Sequence, residues 1–317
     1  MQNSKRSSSA PEVEASVVIA TQDRRDALRQ VIESLLGQTL HSEILVLDDC
    51  SRDGTADMVR SEFPDVRLVT SDAALGYVAH RTEGGRRARG AVVFFLDDDM
   101  VLESNRTLEH ALSEFDHPRV GALALPFMEA SDRQVRFRAP APSPQFATFR
   151  FAGGSSAVRR DVFLAVGGFR PELFLLGEES DYCLRMLAAG FVTRLGTAPA
   201  MLHLRLPPDD LRAKAFYGRR NDVLYAWRNV PMPYLPVRLV KVATQSAVTG
   251  AAFREPLAAA RGTARGVWQA ARDPSQRDPV SRHVYRLAHR LKKRHAIPIH
   301  EMEHELPPLR PTAPVEA

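Results

Sequence analysis

AVVFFLDDDMVL, residues 91–102, is the stretch on which the reading of this chain turns. An apolar run from Ala91 to Leu96 stops abruptly at Asp97, Asp98 and Asp99. A run this short and this rich in Val and Phe predicts a buried strand. Three carboxylates at its C-terminal end cannot lie side by side unneutralised, because like charges at contact distance raise one another's pKa or draw in a cation. Aspartates at i and i+2, at the mouth of an α/β sheet, can offer oxygens to a divalent metal, and a metal there can hold a diphosphate. The stretch points to chemistry on a phosphorylated substrate.

Outward from it, strand and helix signals alternate. SVVIA (16–20) predicts a first strand, and Asp23 or Asp26 can cap the helix that follows. Leu28, Val31, Ile32, Leu35 and Leu36 then fall on one helical face, ended by Gly37. A second strand is expected at 43–47, a helix through Thr55, Met58, Val59 and Phe63, and a third strand at 66–69. Residues 75–90 read as helical in part, 104–115 as helix and 120–125 as strand. The alternation predicts an α/β fold with a mostly parallel sheet and helices on both faces. The pattern breaks in the proline-rich stretch 130–150, expected to be a loop or irregular hairpin, and helices return at 160–167 and 179–189.

The chain has 317 residues, 44% of them hydrophobic, enough for a sizeable core. Its two cysteines, Cys50 and Cys183, make no disulfide framework and fit a reducing compartment. No apolar run approaches the ~18–20 residues of a spanning helix, and the first residues are polar with no signal core. A cytoplasmic protein is expected. Residues 201–300 carry 19 Lys+Arg against 6 Asp+Glu, whereas residues 1–200 carry 23 against 28. A basic C-terminal third suits phospholipid, a lipid diphosphate or nucleic acid, or else it is a solvated Arg-rich helical surface. It shows no zinc-finger or aromatic RNA-binding signature, which argues against nucleic acid. The expected organisation is a disordered tail over 1–14, an α/β domain over 15–206, a helical basic extension over 207–300 and a disordered Pro-rich tail over 301–317.

Two acid-tipped strands, LVLDDCSRDGT (45–55) and FFLDDDM (94–100), should open on one crevice, since parallel strands end on one edge. A turn or helix cap explains one such end, and Asp53-Gly54-Thr55 is read that way. Glu178, Glu179 and Asp181 begin a further helix, where the helix dipole favours acids. Their functional reading is a general base at a pocket edge. Arg185 can pair with Asp181 at i+4, which leaves Glu178 or Glu179 as the reactive group. His203, in AMLHLRL, is ordinarily a core histidine; a metal role requires its strand to end beside Asp97 and Asp99.

Four blocks, in order, resemble the family-2 nucleotide-sugar glycosyltransferases of GT-A fold over about residues 15–230. They are SVVIATQDR with SLLGQTL (16–24, 34–40), EILVLDDCSRDGT (43–55), HRTEGGRRARGAVVFFLDDDM (80–100) and GGSSAVRR…VGGF…GEESDYCLRM (153–186). The resemblance implies a nucleotide-binding half over 15–100 and an acceptor half over 101–206. Ala20, Thr21 and Asp49 would contact the nucleoside, Arg81 the nucleotide or diphosphate, and Asp98 would lie in the donor site. Asp97 and Asp99 match the DXD motif for Mg²⁺ or Mn²⁺, with His203 as a third metal-site residue. The family's base falls at Glu179, with Glu178 beside it, and Gly153, Gly154, Ser155 and Asp181 would line the acceptor site. The chain departs from the pattern at Ala20 (for Pro), Gln22-Asp23 (for Tyr-Asn), Thr82 (for Asn) and Glu at the base position (for Asp). The Glu-Glu pair is similar to rhamnosyltransferase-like members.

The expected reaction is an inverting, metal-dependent transfer of a sugar from a nucleoside diphosphate to a hydroxyl of a polysaccharide, lipid-linked or secondary-metabolite acceptor. FYGRRNDVLYAWRNVP (216–231) resembles the region after the catalytic domain in members with lipid-linked or polysaccharide acceptors. Its Arg219, Arg220, Tyr225 and Trp227 suit peripheral contact with a membrane's inner face, or else a helix packed on the domain. Two rivals stand beside this reading. A nucleotidyltransferase would need a glycine-rich phosphate loop where ATQDRRDA stands, and a non-catalytic sugar-nucleotide binder would have no need of Asp97, Asp99 and Glu179 together.

Overall fold

The computed structural model describes residues 13–204 and 210–312; residues 1–12 of the tail expected over 1–14, and the domain boundary at 206–207, lie outside the described residues. Strand and helix alternate as far as the acid-tipped strand: β1 (Ala15–Thr21), α1 (Arg25–Leu36), β2 (Glu43–Asp48), α2 (Thr55–Glu62), β3 (Arg67–Thr70), α3 (Tyr77–Arg87) and β4 (Val92–Asp97). Then come β5 (Met100–Val101), α4 (Thr107–Ser113), β6 (Val120–Ala124), β7 (Phe127–Glu129), β8 (Val135–Arg136) and β9 (Phe146–Thr148). They are followed by β10 (Ser155–Arg159), α5 (Arg160–Ala165), α6 (Glu178–Ala188), β11 (Val192–Leu195) and β12 (Met201–His203). Four helices, α7 (Leu211–Asn229), α8 (Tyr234–Ala252), α9 (Pro256–Arg272) and α10 (Arg282–Arg294), precede β13 (Ile297–Pro298) and α11 (Ile299–Met302).

Nine strands form the main sheet in the order β13-β9-β11-β6-β10-β4-β1-β2-β3. The expected parallel arrangement occupies β3-β2-β1-β4, where every pairing is parallel. Beyond β4 the sheet is mixed, because β10 runs antiparallel to both β4 and β6. Side-chain alternation explains the two cores. Phe94 and Leu96 of β4, with Val17 and Ile19 of β1, face a core shared with α1, α2, α4 and α10. Val93, Phe95 and Val18 face the other, shared with α3 and α5 and built on Phe151, Phe163, Phe169 and Tyr182. A smaller sheet, β5-β12-β7-β8, stands beside the acid-tipped end of β4.

Several strands escaped the sequence reading, among them β9, β10 and β11 of the main sheet. β10 is SSAVR, whose buried Ser155 and Ser156 give no apolar run. β9 lies inside 130–150, where the prolines mask a three-residue strand held by β11 and β13.

The basic extension is helical. α7 and α9 approach closely through small residues: a Cβ on Gly262 would lie 2.1 Å from the Phe216 carbonyl oxygen, and Ala215, Ala258 and Ala259 fill the seam. The disorder expected from residue 301 is corrected for 301–312. Met302 and Leu306 are buried, Arg119 donates to the Pro307 carbonyl at 2.6 Å, and the Arg310 N–H donates to Ala189 O at 2.9 Å. Prolines there break helix without preventing docking. Within 216–231 the packing alternative describes what is seen. Arg220 is buried and donates to the carbonyls of Glu172 and Leu173, Arg219 pairs with Asp222 at 2.6 Å, Tyr225 is partly buried, and Trp227 lies under Arg277.

Candidate active site

The sheet register brings the two acid-tipped ends together. Ala20 stands opposite Asp97 across β1 and β4, and Thr21 opposite Asp48 across β1 and β2. Because β1 lies between β2 and β4, with connections departing to either side, a crevice opens at the C-terminal strand ends. It is a cleft of about 620 Å³, and Ala20, Thr21, Asp49, Arg81, Asp97, Asp98 and Asp99 all reach it.

On one wall the acids are held individually. Asp97 is partly exposed and pairs with Arg81. Asp98 accepts from the Thr21 hydroxyl at 2.7 Å, and burial, with Asp97 and Asp99 beside it, pushes its carboxyl up to about 7. Asp99 is buried, 3.6 Å from Arg24 Nη1 and 3.3 Å from His203 Nε2. The smaller sheet delivers the histidine. β12 pairs with β5, setting His203 opposite Met100, and with β7, setting it opposite Glu129. His203 Nδ1 is 3.1 Å from Glu129 Oε2, so the ring is oriented from behind. Burial lowers its pKa, but Asp99, Asp97 and Glu129 outweigh burial and raise it to about 9.

Asp97, Asp99 and His203 each present a ligand atom, all within 4.8 Å of one another. Two carboxylates and an imidazole whose second nitrogen is held by a carboxylate fit a divalent cation.

The opposite wall carries the first turn of α6. Glu179 lines the cleft and accepts from the Gly153 N–H at 3.2 Å. Glu178 is fully buried behind it, 3.3 Å from Arg81 Nη1, with the Tyr77 hydroxyl donating to it at 3.2 Å. Burial, and then the charge of Glu179, pushes the Glu178 carboxyl up to about 8 in spite of Arg81. Arg81 stacks 4.5 Å over the Tyr77 ring and bridges Glu178 to Asp97, tying the two walls together. Glycine is required between them: a Cβ on Gly154 would lie 2.0 Å from the Asp97 carboxyl, and one on Gly153 2.5 Å from Arg81 Nη1.

Other expected contacts are already engaged. Both Asp49 oxygens bind the 75–80 segment, accepting from Leu75 and Gly76 N–H at 2.7 and 2.9 Å and meeting His80 at 2.8 Å. The Ser155 hydroxyl lines the cleft but donates to Leu125 O at 2.9 Å. Asp181, expected to line the acceptor site, is buried outside the cleft lining and held by Arg170, Arg185 and Asn229, each at 2.8 Å. Glu178 likewise does not line the cleft.

Sequence reading missed Glu129, Tyr77 and Asn221. The Asn221 amide of α7 donates to the carbonyls of Leu173, Leu175 and Leu176, fixing the loop that leads into Glu178 and Glu179. Nothing in the sequence singles out Asn221, since Arg219, Arg220 and Asp222 beside it are polar too.

Residues 16–170 match the model of Glycosyl transferase family 2. The O-antigen biosynthesis protein RfbC of Myxococcus xanthus is 28% identical over 203 residues, covering 55% of this chain and 16% of that protein. The O-antigen chain rhamnosyltransferase WbaN of Salmonella anatum is 26% identical over 167 residues, covering 47% of this chain and 52% of that protein. The chain therefore spans little more than half, or less, of these curated relatives. The mannosyltransferase PcManGT of Pyrobaculum calidifontis, solved with GDP-Man and Mn2+, shares the fold with a TM-score of 0.55 at 21% identity, covering 81% of this chain and 75% of that chain. The blocks matched within 16–170 are those that bring Thr21, Asp49, Arg81 and the three aspartates into one cleft: over these residues, just under half of the chain, the similarity is to glycosyl transferase family 2, and the fold is that of the GT-A glycosyltransferases.

Proposed function

We propose that this chain transfers a glycosyl group from a nucleoside-diphosphate sugar to an acceptor hydroxyl, with inversion at the anomeric carbon. The observation that carries the reading is the meeting of Asp97, Asp99 and His203 with Glu179 across one cleft. Ala20, Thr21 and the 15–100 half would receive the nucleotide, and Arg81 the diphosphate. Mg²⁺ or Mn²⁺ held by Asp97, Asp99 and His203 would supply positive charge against the leaving diphosphate. The acceptor oxygen bonds to the anomeric carbon as the bond from that carbon to the diphosphate oxygen breaks, and the hydroxyl proton passes to Glu179. Glu179 suits this task because it faces the cleft, whereas Glu178 is enclosed by Tyr77 and Arg81. A single displacement from the face opposite the leaving group inverts the centre. The acceptor would enter beside Gly153 and Gly154. The names of RfbC and WbaN favour a growing polysaccharide, and the latter, with the Glu-Glu pair, favours deoxythymidine diphosphate–rhamnose as donor. Two free thiols suit a reducing, cytoplasmic setting.

The test is thermal stability against nucleoside diphosphates with Mn²⁺, Mg²⁺ or EDTA, since a ligand of the folded state alone raises Tm. One nucleotide should raise Tm only with metal, and Asp99→Ala should abolish the rise. No rise for any nucleotide at saturating concentration would move a degenerate, non-catalytic protein to first place. A product of retained configuration would overturn the mechanism.

A further inference from the structure

Helix α8 turns its apolar side to the solvent. Its 19 residues include no Asp or Glu, and only Leu235, Val242 and Gly250 are buried. Val237, Val240 and Val248 are 73%, 66% and 68% exposed. At 100° per residue they fall with Thr244 on one narrow stripe. A helix on a protein in water normally buries such a stripe. Beside it, between α8 and α10, lies a pocket of about 360 Å³, into which Val237 and Lys241 both reach. Phe149, Tyr234 and Tyr285 give it aromatic walls, and Arg238, Lys241, Arg286 and Lys292 give it charge. Among the described residues no carboxylate lines it, although Arg238 has Asp222 at 3.3 Å on its far side. Lys292 stands 5.8 Å over the Phe149 ring, and burial together with the Arg238 and Arg150 charges lowers its pKa. Positive charge is therefore concentrated there beyond what its neighbours neutralise.

We propose that α8 and this pocket form a seat for an anionic phospholipid bilayer, the valine stripe entering the headgroup–acyl boundary and the pocket taking a lipid phosphate. Apolar stripe, basic flank and aromatic walls are the three parts of an interfacial helix. Among the described residues no helix is long and apolar enough to cross a membrane, so α8 lies on the surface rather than through it. A second copy of the chain fits the face less well, because a two-fold contact would set this basic flank against itself. The proposal stands on α8 and its pocket alone and does not rest on the transferase reading.

Sedimentation of the full chain with vesicles tests it, using phosphatidylcholine with and without phosphatidylglycerol. The protein should pellet with the mixed vesicles and not with phosphatidylcholine alone, and added salt should weaken the binding. Lys241→Gln and Arg286→Gln should each weaken it about fivefold, as expected for one basic residue near an anionic surface. Val240→Asp sits at an exposed position, so its Tm should match the wild type while its binding is lost. Equal pelleting with both vesicle types, no pelleting at low salt, or unaltered binding by Val240→Asp would each overturn the proposal. So would a wild-type dimer that Val240→Asp renders monomeric, since a second copy would then cover the face.

Discussion

Glu178 and Glu179 are consecutive in sequence and opposite in circumstance. Glu179 meets the cleft, while Glu178 meets Tyr77 and Arg81 in the interior. Substitution should separate them. Glu179→Gln is expected to reduce transfer by roughly 10²–10⁴-fold while leaving nucleotide binding intact, the loss typical of a positioned base. Glu178→Gln should instead show itself in stability. The folded pKa of Glu178, about 8, lies above its ordinary value, so its contribution is fully present below about 4.5 and is lost as pH rises through 8. Between pH 5 and 9 the Tm of Glu178→Gln should therefore decline less than that of the wild type, and parallel curves would contradict the placement. Local pairs of this kind were legible in sequence: Asp181 and Arg185, four apart on α6, meet as helix spacing requires. Glu129 was not legible, because its partner His203 is 74 residues away and only the pairing of β7 with β12 joins them.

At the level of elements, legibility followed periodicity. α1, β1 and β4 carry their burial pattern in their own residues, and the acid tips announced the cleft edge. β10 carries no such pattern, and its antiparallel course is imposed by β4 and β6 on either side. The seam of α7 and α9 was equally hidden, since Gly262 and Gly266 look like weak helix formers until their partner is known. Each lets a backbone approach: added Cβ atoms would lie 2.1 and 2.7 Å from carbonyl oxygens of α7. Gly262→Val should cost about 1–3 kcal/mol, the usual penalty of overpacking. A lowered urea midpoint with unchanged slope would register it. An unchanged midpoint would mean that the seam yields. The effect should reach the cleft too, because Asn221 of α7 holds the loop before Glu179.

Across the whole molecule, the basic extension is fastened at both ends. α7 grips the 173–176 loop, and β13 joins the sheet beside β9. Ile297, Ile299, Met302 and Leu306 are all buried, so the last described segment belongs to the domain core. Truncation after residue 296 should lower Tm by about 8 °C or more, taking roughly 1 kcal/mol for each lost side chain and about 2 °C per kcal/mol. A truncated chain with unaltered Tm would show the segment to be dispensable. The charge division along the sequence has a spatial counterpart here: the acids converge on the cleft, while Lys241, Arg286 and Lys292 gather beside α8.

The pairing of Ile297 with Ala147 also imposes an order on biosynthesis. The ribosome must add 150 further residues after Ala147 before its outer partner exists, the difference between the two paired positions. At about 5–20 residues per second that is roughly 8–30 s during which β9 presents an open hydrogen-bonding edge. The nascent chain is exposed to strand-to-strand misassociation throughout that interval, and the helices made meanwhile are the shelter available to it.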